Sequence, residues 1–317
     1  MADEFSGPDP FRREVKLELE SVYYPLGFHL QLATNCAEIN NAAREIWGHY
    51  PQAFELPPLR VRVVVEPEGD HPPVPAYRGQ EHLMMITADA RNFAVCDHTR
   101  SAAFCWLNAA TARDRPFTGY YFLEAIANYT LTQLYLTPVH GACVARNGRG
   151  VLLCGPSGAG KTSLAYFCAR NGWTYISDNE SWLMRRSPAL LIGNPHRLRF
   201  RASARELFPE LQAHEPAQDA NGKMSIKMAP MGVVSTDYMC GVRRVVFLAR
   251  QPDGPATLRA ILPEQALEYF LSDLPIYDSR IREEQRASLQ RIAGLNPVEL
   301  RYSQLDDAMR QLESLLT

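Results

Sequence analysis

The segment Gly155-Pro156-Ser157-Gly158-Ala159-Gly160-Lys161-Thr162 fills every fixed position of the pattern G-x-x-x-x-G-K-[ST]. From this chain's own residue frequencies, the chance expectation over all windows is about one in a thousand. The pattern constrains the fold because it works only between a strand and a helix. Its glycines let the backbone curl so that N–H groups point inward at phosphate oxygens, at the positive end of the helix that follows. Both flanks are present: Val151-Leu152-Leu153-Cys154 predicts a buried strand, and Lys161 to Arg170 predicts a helix stopped by Asn171-Gly172. In such a site the loop and Ser163 cradle a nucleotide, Lys161 reaches the β- and γ-phosphates, and Thr162 offers its hydroxyl to Mg²⁺. The bland alternative is a glycine turn before an ordinary helix.

Composition narrows the setting. The chain has 317 residues, 46% hydrophobic and 21% charged, enough for one large or two ordinary domains with real cores. Lys plus Arg is 33 against 35 Asp plus Glu, a net charge of −2, so no basic excess favours nucleic acid. Of the 33 cations only four are lysines, Lys16, Lys161, Lys223 and Lys227, and Lys161 sits where a compact point charge suits phosphate. The acidic, polar start and the lack of an apolar run of about eighteen residues predict a cytoplasmic protein with no membrane partner. Seven widely spaced cysteines without a C-x-x-C pair read as reduced core thiols.

The organisation is an α/β fold in two parts, an α/β domain of unknown role over 1–115 and a nucleotide-binding domain with a mixed sheet over 116–317. In the first part, strands are expected over Val15–Leu19, Phe28–Ala33, Leu59–Glu66, Leu83–Thr87, Phe93–Cys96 and Ala102–Leu107, with a helix over Cys36–Trp47 and an exposed loop from Glu66 to Ala76. Tyr120 to Leu136 predicts a buried helix that opens the second part. Later helices are expected over Pro263–Leu274, from Asp278-Ser279 to Ile292, and over Leu305–Leu316, with a mobile polar loop from Pro209 to Pro230.

Two inferences place neighbours beside the loop. Arg146-Asn147-Gly148-Arg149 is a two-residue hairpin turn, and its register sets His140 opposite Gly155, at the mouth of the phosphate loop. A half-buried histidine at a strand end explains the same residue equally well. Beyond the helix, Trp173 to Ser177 is a strand that a right-handed crossover lays parallel to Val151–Cys154, bringing Asp178 beside the phosphates. There it can hold Mg²⁺ or accept a hydroxyl proton, although Asp-Asn at a strand end is also plain turn chemistry. Alternation in His196-Arg197-Leu198-Arg199-Phe200-Arg201 sends Arg197, Arg199 and Arg201 to one face, as a phosphate clamp or a solvated surface. Lys223 and Lys227 suit a lid or an ordinary surface, and Arg243, ahead of an apolar strand, is a further candidate for transferred phosphate.

The antiparallel hairpin feeding the loop strand separates this chain from common phosphate-loop proteins, whose loop strand has parallel neighbours. With Val139-His140-Gly141-Ala142, the Asn-Gly turn, GVLLCGPSGAGKTSL and the Asp178 strand, the stretch His140–Glu180 resembles HPr kinase/phosphorylase and its relatives, which share a nucleotide-binding core with ATP-dependent phosphoenolpyruvate carboxykinases. The resemblance implies transfer of the γ-phosphoryl group of Mg·ATP to a hydroxyl, usually a serine, of a protein, peptide or small-molecule acceptor. It implies functional roles for His140, Lys161 and Thr162, and for Asp178 as base. Asn179 stands where the family carries a second aspartate, so a second metal-facing carboxylate is missing unless Glu180 stands in, and Ser163 stands where HPr kinases carry Glu. A nucleotide-dependent binding or regulatory module that has lost transfer, and a small-molecule kinase, are the competing readings. Acceptor identity and a homo-oligomeric state are left open.

Overall fold

The computed structural model describes residues 15–201, 204–213, 217–218, 224–227, 234–274 and 279–317. They form mixed α/β structure in two compact units, divided between Leu134 and Tyr135.

The first unit is built on β1 (Leu19–Tyr23), β2 (Leu30–Thr34), α1 (Ala37–Trp47), β3 (Leu59–Glu66), β4 (Ala76–Gln80), β5 (Leu83–Thr87), β6 (Phe93–Asp97) and β7 (Ala102–Asn108). Short helices α2 (Ala109–Arg113) and α3 (Arg115–Thr118), a π-helical turn over Gly119–Glu124 and α4 (Ala125–Leu134) complete it. The sheet order is β1-β2-β3-β7-β6-β5-β4, with β3 parallel to both β2 and β7 and every other pairing antiparallel. Alternation fixes the inward face: Leu59, Val61 and Val63 are buried while Arg60 and Arg62 point out. Helix α1 buries Ile39, Ala42, Ala43, Ile46 and Trp47, a stripe at i, i+3, i+4, i+7 and i+8.

Three expectations shift here. The first strand lies four residues later than expected, at Leu19–Tyr23, and β4 forms between the expected loop and the strand at Leu83, where no element was expected. Every residue of β4 is exposed, so no alternation marked it. The boundary expected between 115 and 116 falls between Leu134 and Tyr135, because Tyr121, Phe122, Leu123, Ile126 and Ala127 pack into the core of the first unit. The helix closes that unit, and Leu136 already belongs to the next strand.

The second unit contains β8 (Leu136–His140), β9 (Ala142–Arg146), β10 (Arg149–Cys154), α5 (Lys161–Arg170), β11 (Thr174–Ser177), β12 (Glu180–Met184), β13 (Leu190–Gly193) and β14 (Arg197–Phe200). There follow α6 (Ala204–Leu207), β15 (Ala217–Gln218), β16 (Met224–Lys227), β17 (Ser235–Thr236), β18 (Met239–Arg250) and β19 (Thr257–Ala260). The chain ends with α7 (Pro263–Ser272), α8 (Ser279–Ala293), β20 (Val298–Tyr302) and α9 (Leu305–Ser314). The main sheet runs β17-β11-β9-β10-β18-β13-β12-β8, with β20 on β18 and β19 on β20. Strand β10 is antiparallel to β9 and parallel to β18, so the loop strand sits in a mixed sheet. Strand β11 runs in the direction of β10 but is separated from it by β9.

Both faces of β10 are covered, which is why it reads as a continuous apolar run. Val151 and Leu153 pack with α5 and α9, whereas Leu152 and Cys154 pack with residues of α7 and α8. Of the expected polar loop 209–230, residues 209–213 form a 3₁₀ turn and 224–227 form β16, paired with β14; Lys223 and Asp278 lie outside the described residues. Among the described residues no helix is long and apolar enough to cross a membrane.

Candidate nucleotide site

Strand β10 delivers the chain into the loop, and the loop's shape depends on glycine at two places. Gly155 has φ 138°, and a Cβ there would stand 3.1 Å from both the Leu248 carbonyl and Ala159. Gly160, at φ 93°, precedes α5, and any side chain on it would collide with the Tyr302 hydroxyl. Two phenols hold the loop at its ends. The Tyr302 hydroxyl donates to the Ala159 carbonyl at 2.9 Å, and Tyr269 accepts from Gly155 N–H and donates to the Gly155 carbonyl, each at 3.0 Å. Burial pushes both phenols up to about 12, which keeps them neutral donors.

Lys161 is 7% exposed, and its Nζ donates to the carbonyls of Gly155 at 2.7 Å and Pro156 at 3.3 Å. The ammonium is thus folded back over the loop that carries it. Thr162 and Ser163 follow on the first turn of α5, and with Lys161 they line a cavity of about 310 Å³. The same cavity is lined by His140, Asn179, Arg199, Arg201 and Arg250, and among the described residues by no carboxylate. Its electrostatics favour an anion.

His140 arrives by a different route from the one the hairpin register implies. Residues 142–146 and 149–153 pair with the expected register, from Arg146↔Arg149 to Ala142↔Leu153, and Asn147 and Gly148 both have positive φ, as a type I′ turn requires. At Gly141 the chain changes partner. His140 belongs to β8 and stands opposite Glu180 on β12, not opposite Gly155. The break is held by a buried relay in which the Ser181 hydroxyl donates to the Gly141 carbonyl at 2.9 Å and meets the Ser177 hydroxyl at 2.6 Å. Between β11 and β12 lie only Asp178 and Asn179. Asn179 lines the cavity, whereas Asp178 is 5% exposed beside it, its Oδ2 accepting the Arg199 N–H at 2.6 Å.

The arginine strand has the expected alternation, with Leu198 and Phe200 buried in the core. Its three arginines diverge. The Arg199 guanidinium pairs with Glu180, and Arg201 Nη2 donates to the Ser157 hydroxyl of the loop at 3.0 Å. Arg197 takes no part in the cavity and offers its carbonyl to the Tyr175 hydroxyl at 3.4 Å. Arg243 is exposed at a bulge of β18, beside Gly150/Val151 and at the far end of the strand from the loop. Arg250, the last residue of the same strand, is the one beside the loop. Its place at the carboxyl end of an apolar strand was a readable signal; Tyr269 and Tyr302 carried none.

No family model matches this chain, and no curated protein matches it. Among solved structures it is similar to that of the Hpr(Ser) kinase/phosphatase from Coxiella burnetii, with 12% sequence identity and a TM-score of 0.30, over 56% of this chain and 93% of that one. The similarity is a distant structural relationship.

Proposed function

We propose that the second unit binds Mg·ATP on the loop Gly155–Thr162 and transfers its γ-phosphoryl group to a hydroxyl, most readily a serine of a protein or peptide. The carrying observation is a single cavity that gathers Lys161 and Thr162 of the loop with His140, Arg199, Arg201 and Arg250. The loop amides, Lys161 and the arginines would balance charge on the transferring group. Asp178 is the base for the acceptor proton, its carboxylate oriented by the Arg199 N–H. His140 contacts the transferred phosphate or orients Asp178.

The donor chemistry fits magnesium: a hydroxyl on Thr162 and a carboxylate on Asp178 are hard oxygens, and Mg²⁺ takes one or two carboxylates with phosphate and water completing its shell. When bound, the ion neutralises phosphate charge.

A second reading, a nucleotide-binding regulatory module without transfer, is favoured by the burial of Asp178 and by Asn179 taking the cavity wall. Incubation of the protein with γ-labelled ATP and a cell extract separates the two. Label in a protein band, lost in Asp178→Asn, supports the serine kinase, and label in a small metabolite supports a small-molecule kinase. Binding without labelled product leaves the regulatory module.

A further inference from the structure

On the other side of the phosphate loop lies a second, larger cleft of about 730 Å³. We propose that it takes the nucleoside of the bound nucleotide, so that the polyphosphate crosses the loop from this cleft toward the cavity of His140; the inference rests on the reading of the loop as a nucleotide site.

Three observations carry it. The volume falls in the range of small-molecule sites, roughly 300–1,000 Å³, whereas the other cavity measures about 310 Å³ and is walled by cations. The two spaces adjoin: loop residues Ser157 and Gly158 and Arg250 at the end of β18 line both. Tyr269, which holds both backbone groups of Gly155, is itself part of the cleft wall. A ligand against Tyr269 therefore touches the residue that fixes the start of the loop.

The lining is also graded in chemistry. Phe247, Ile261 and Tyr269 offer an apolar wall for a base, the two rings meeting edge to face with centroids 5.0 Å apart. Glu299 is the one carboxylate of the lining among the described residues and lies on β20, two strands from β10 in the sheet order. Two strand spacings are about 10 Å. A carboxylate there repels phosphate and accepts hydrogen bonds, so it selects the ribose hydroxyls and leaves the phosphates to the loop amides and Arg250. Glu299 is held in place by Arg301 Nε at 2.6 Å.

Calorimetric titration of the full chain with ATP, ADP and inorganic tripolyphosphate tests this. Ile261→Trp and, at an exposed position, Ala260→Trp fill the cleft without touching the loop. ATP and ADP should weaken by about tenfold or more in either variant, while tripolyphosphate stays within about twofold. Glu299→Gln should reduce the preference for ATP over its 2′,3′-dideoxy analogue. Unchanged ATP affinity in both tryptophan variants, or equal loss of ATP and tripolyphosphate, overturns the cleft assignment. Failure of the wild-type chain to bind either ATP or tripolyphosphate overturns the loop reading instead.

Discussion

Tyr302 donates its hydroxyl hydrogen to the carbonyl of Ala159 at 2.9 Å, reaching the phosphate loop from a strand 143 residues further along the chain. The ring is 1% exposed and packs in the core that also holds α5 and α9, so the loop's shape is set from outside the loop. Removing the hydroxyl leaves a buried carbonyl without that donor. Tyr302→Phe should lose about 1 kcal/mol of stability and bind Mg·ATP several-fold more weakly, measured by denaturant unfolding and calorimetry on the same sample. Full nucleotide affinity in Tyr302→Phe would mean the loop holds its own shape.

The two arginine candidates on β18 give opposite expectations. Arg250 lines the cavity beside the loop, and Arg243 is exposed at the other end of the strand. Arg250→Ala should weaken nucleotide binding by about tenfold, the scale of one charge-assisted hydrogen bond, and Arg243→Ala should leave it unchanged. A larger effect at Arg243 would contradict the placement.

His196 gives the fold a pH dependence. Burial first, and the neighbouring Arg197 charge second, lower its pKa from 6.5 to about 4. The folded state therefore disfavours the proton that the unfolded chain accepts. The sign follows: this contribution is present above pH 6.5 and is lost as pH falls from 6.5 toward 4. Urea titrations of wild type and His196→Asn across that window should show a shallower loss in the variant. Parallel curves would remove His196 as the cause.

The cysteines should behave as core thiols. Six of the seven are buried, Cys36 being the exception, and burial pushes the Cys96 and Cys168 thiols up to about 12 and holds those of Cys105, Cys143 and Cys154 high. At about pH 8, alkylation of the native protein followed by mass spectrometry should modify Cys36 first, with the rest labelled only in denaturant. Rapid native labelling of Cys143 on β9 or Cys154 on β10 would show that the hairpin feeding the loop opens.

The loop was legible in the sequence because its chemistry is local. Gly155, Gly160, Lys161 and Thr162 lie within eight residues, and strand and helix signals adjoin them. The hairpin register was legible for the same reason, since Asn147-Gly148 sets it over the five pairs from Arg146↔Arg149 to Ala142↔Leu153. It failed one step beyond them, at Gly141, where a change of strand partner is stabilised by Ser177 and Ser181, residues with no periodic mark. The clamps from Tyr269 and Tyr302 are contacts across more than 100 residues, 114 and 143 apart, and no local pattern encodes them. The misplaced boundary at 115 has the same origin. An apolar helix states that it is buried, but not in which core.

The account depends most on the loop holding a nucleotide through Lys161. Calorimetric titration of Mg·ATP into wild type and Lys161→Ala addresses it directly, with Lys16→Ala, exposed in the first unit, as the control. We expect saturable binding in wild type and in Lys16→Ala, and a loss of about a hundredfold in Lys161→Ala, on the scale of about 3 kcal/mol for a charge-assisted contact. Equal binding in all three proteins, or none in wild type, would contradict it.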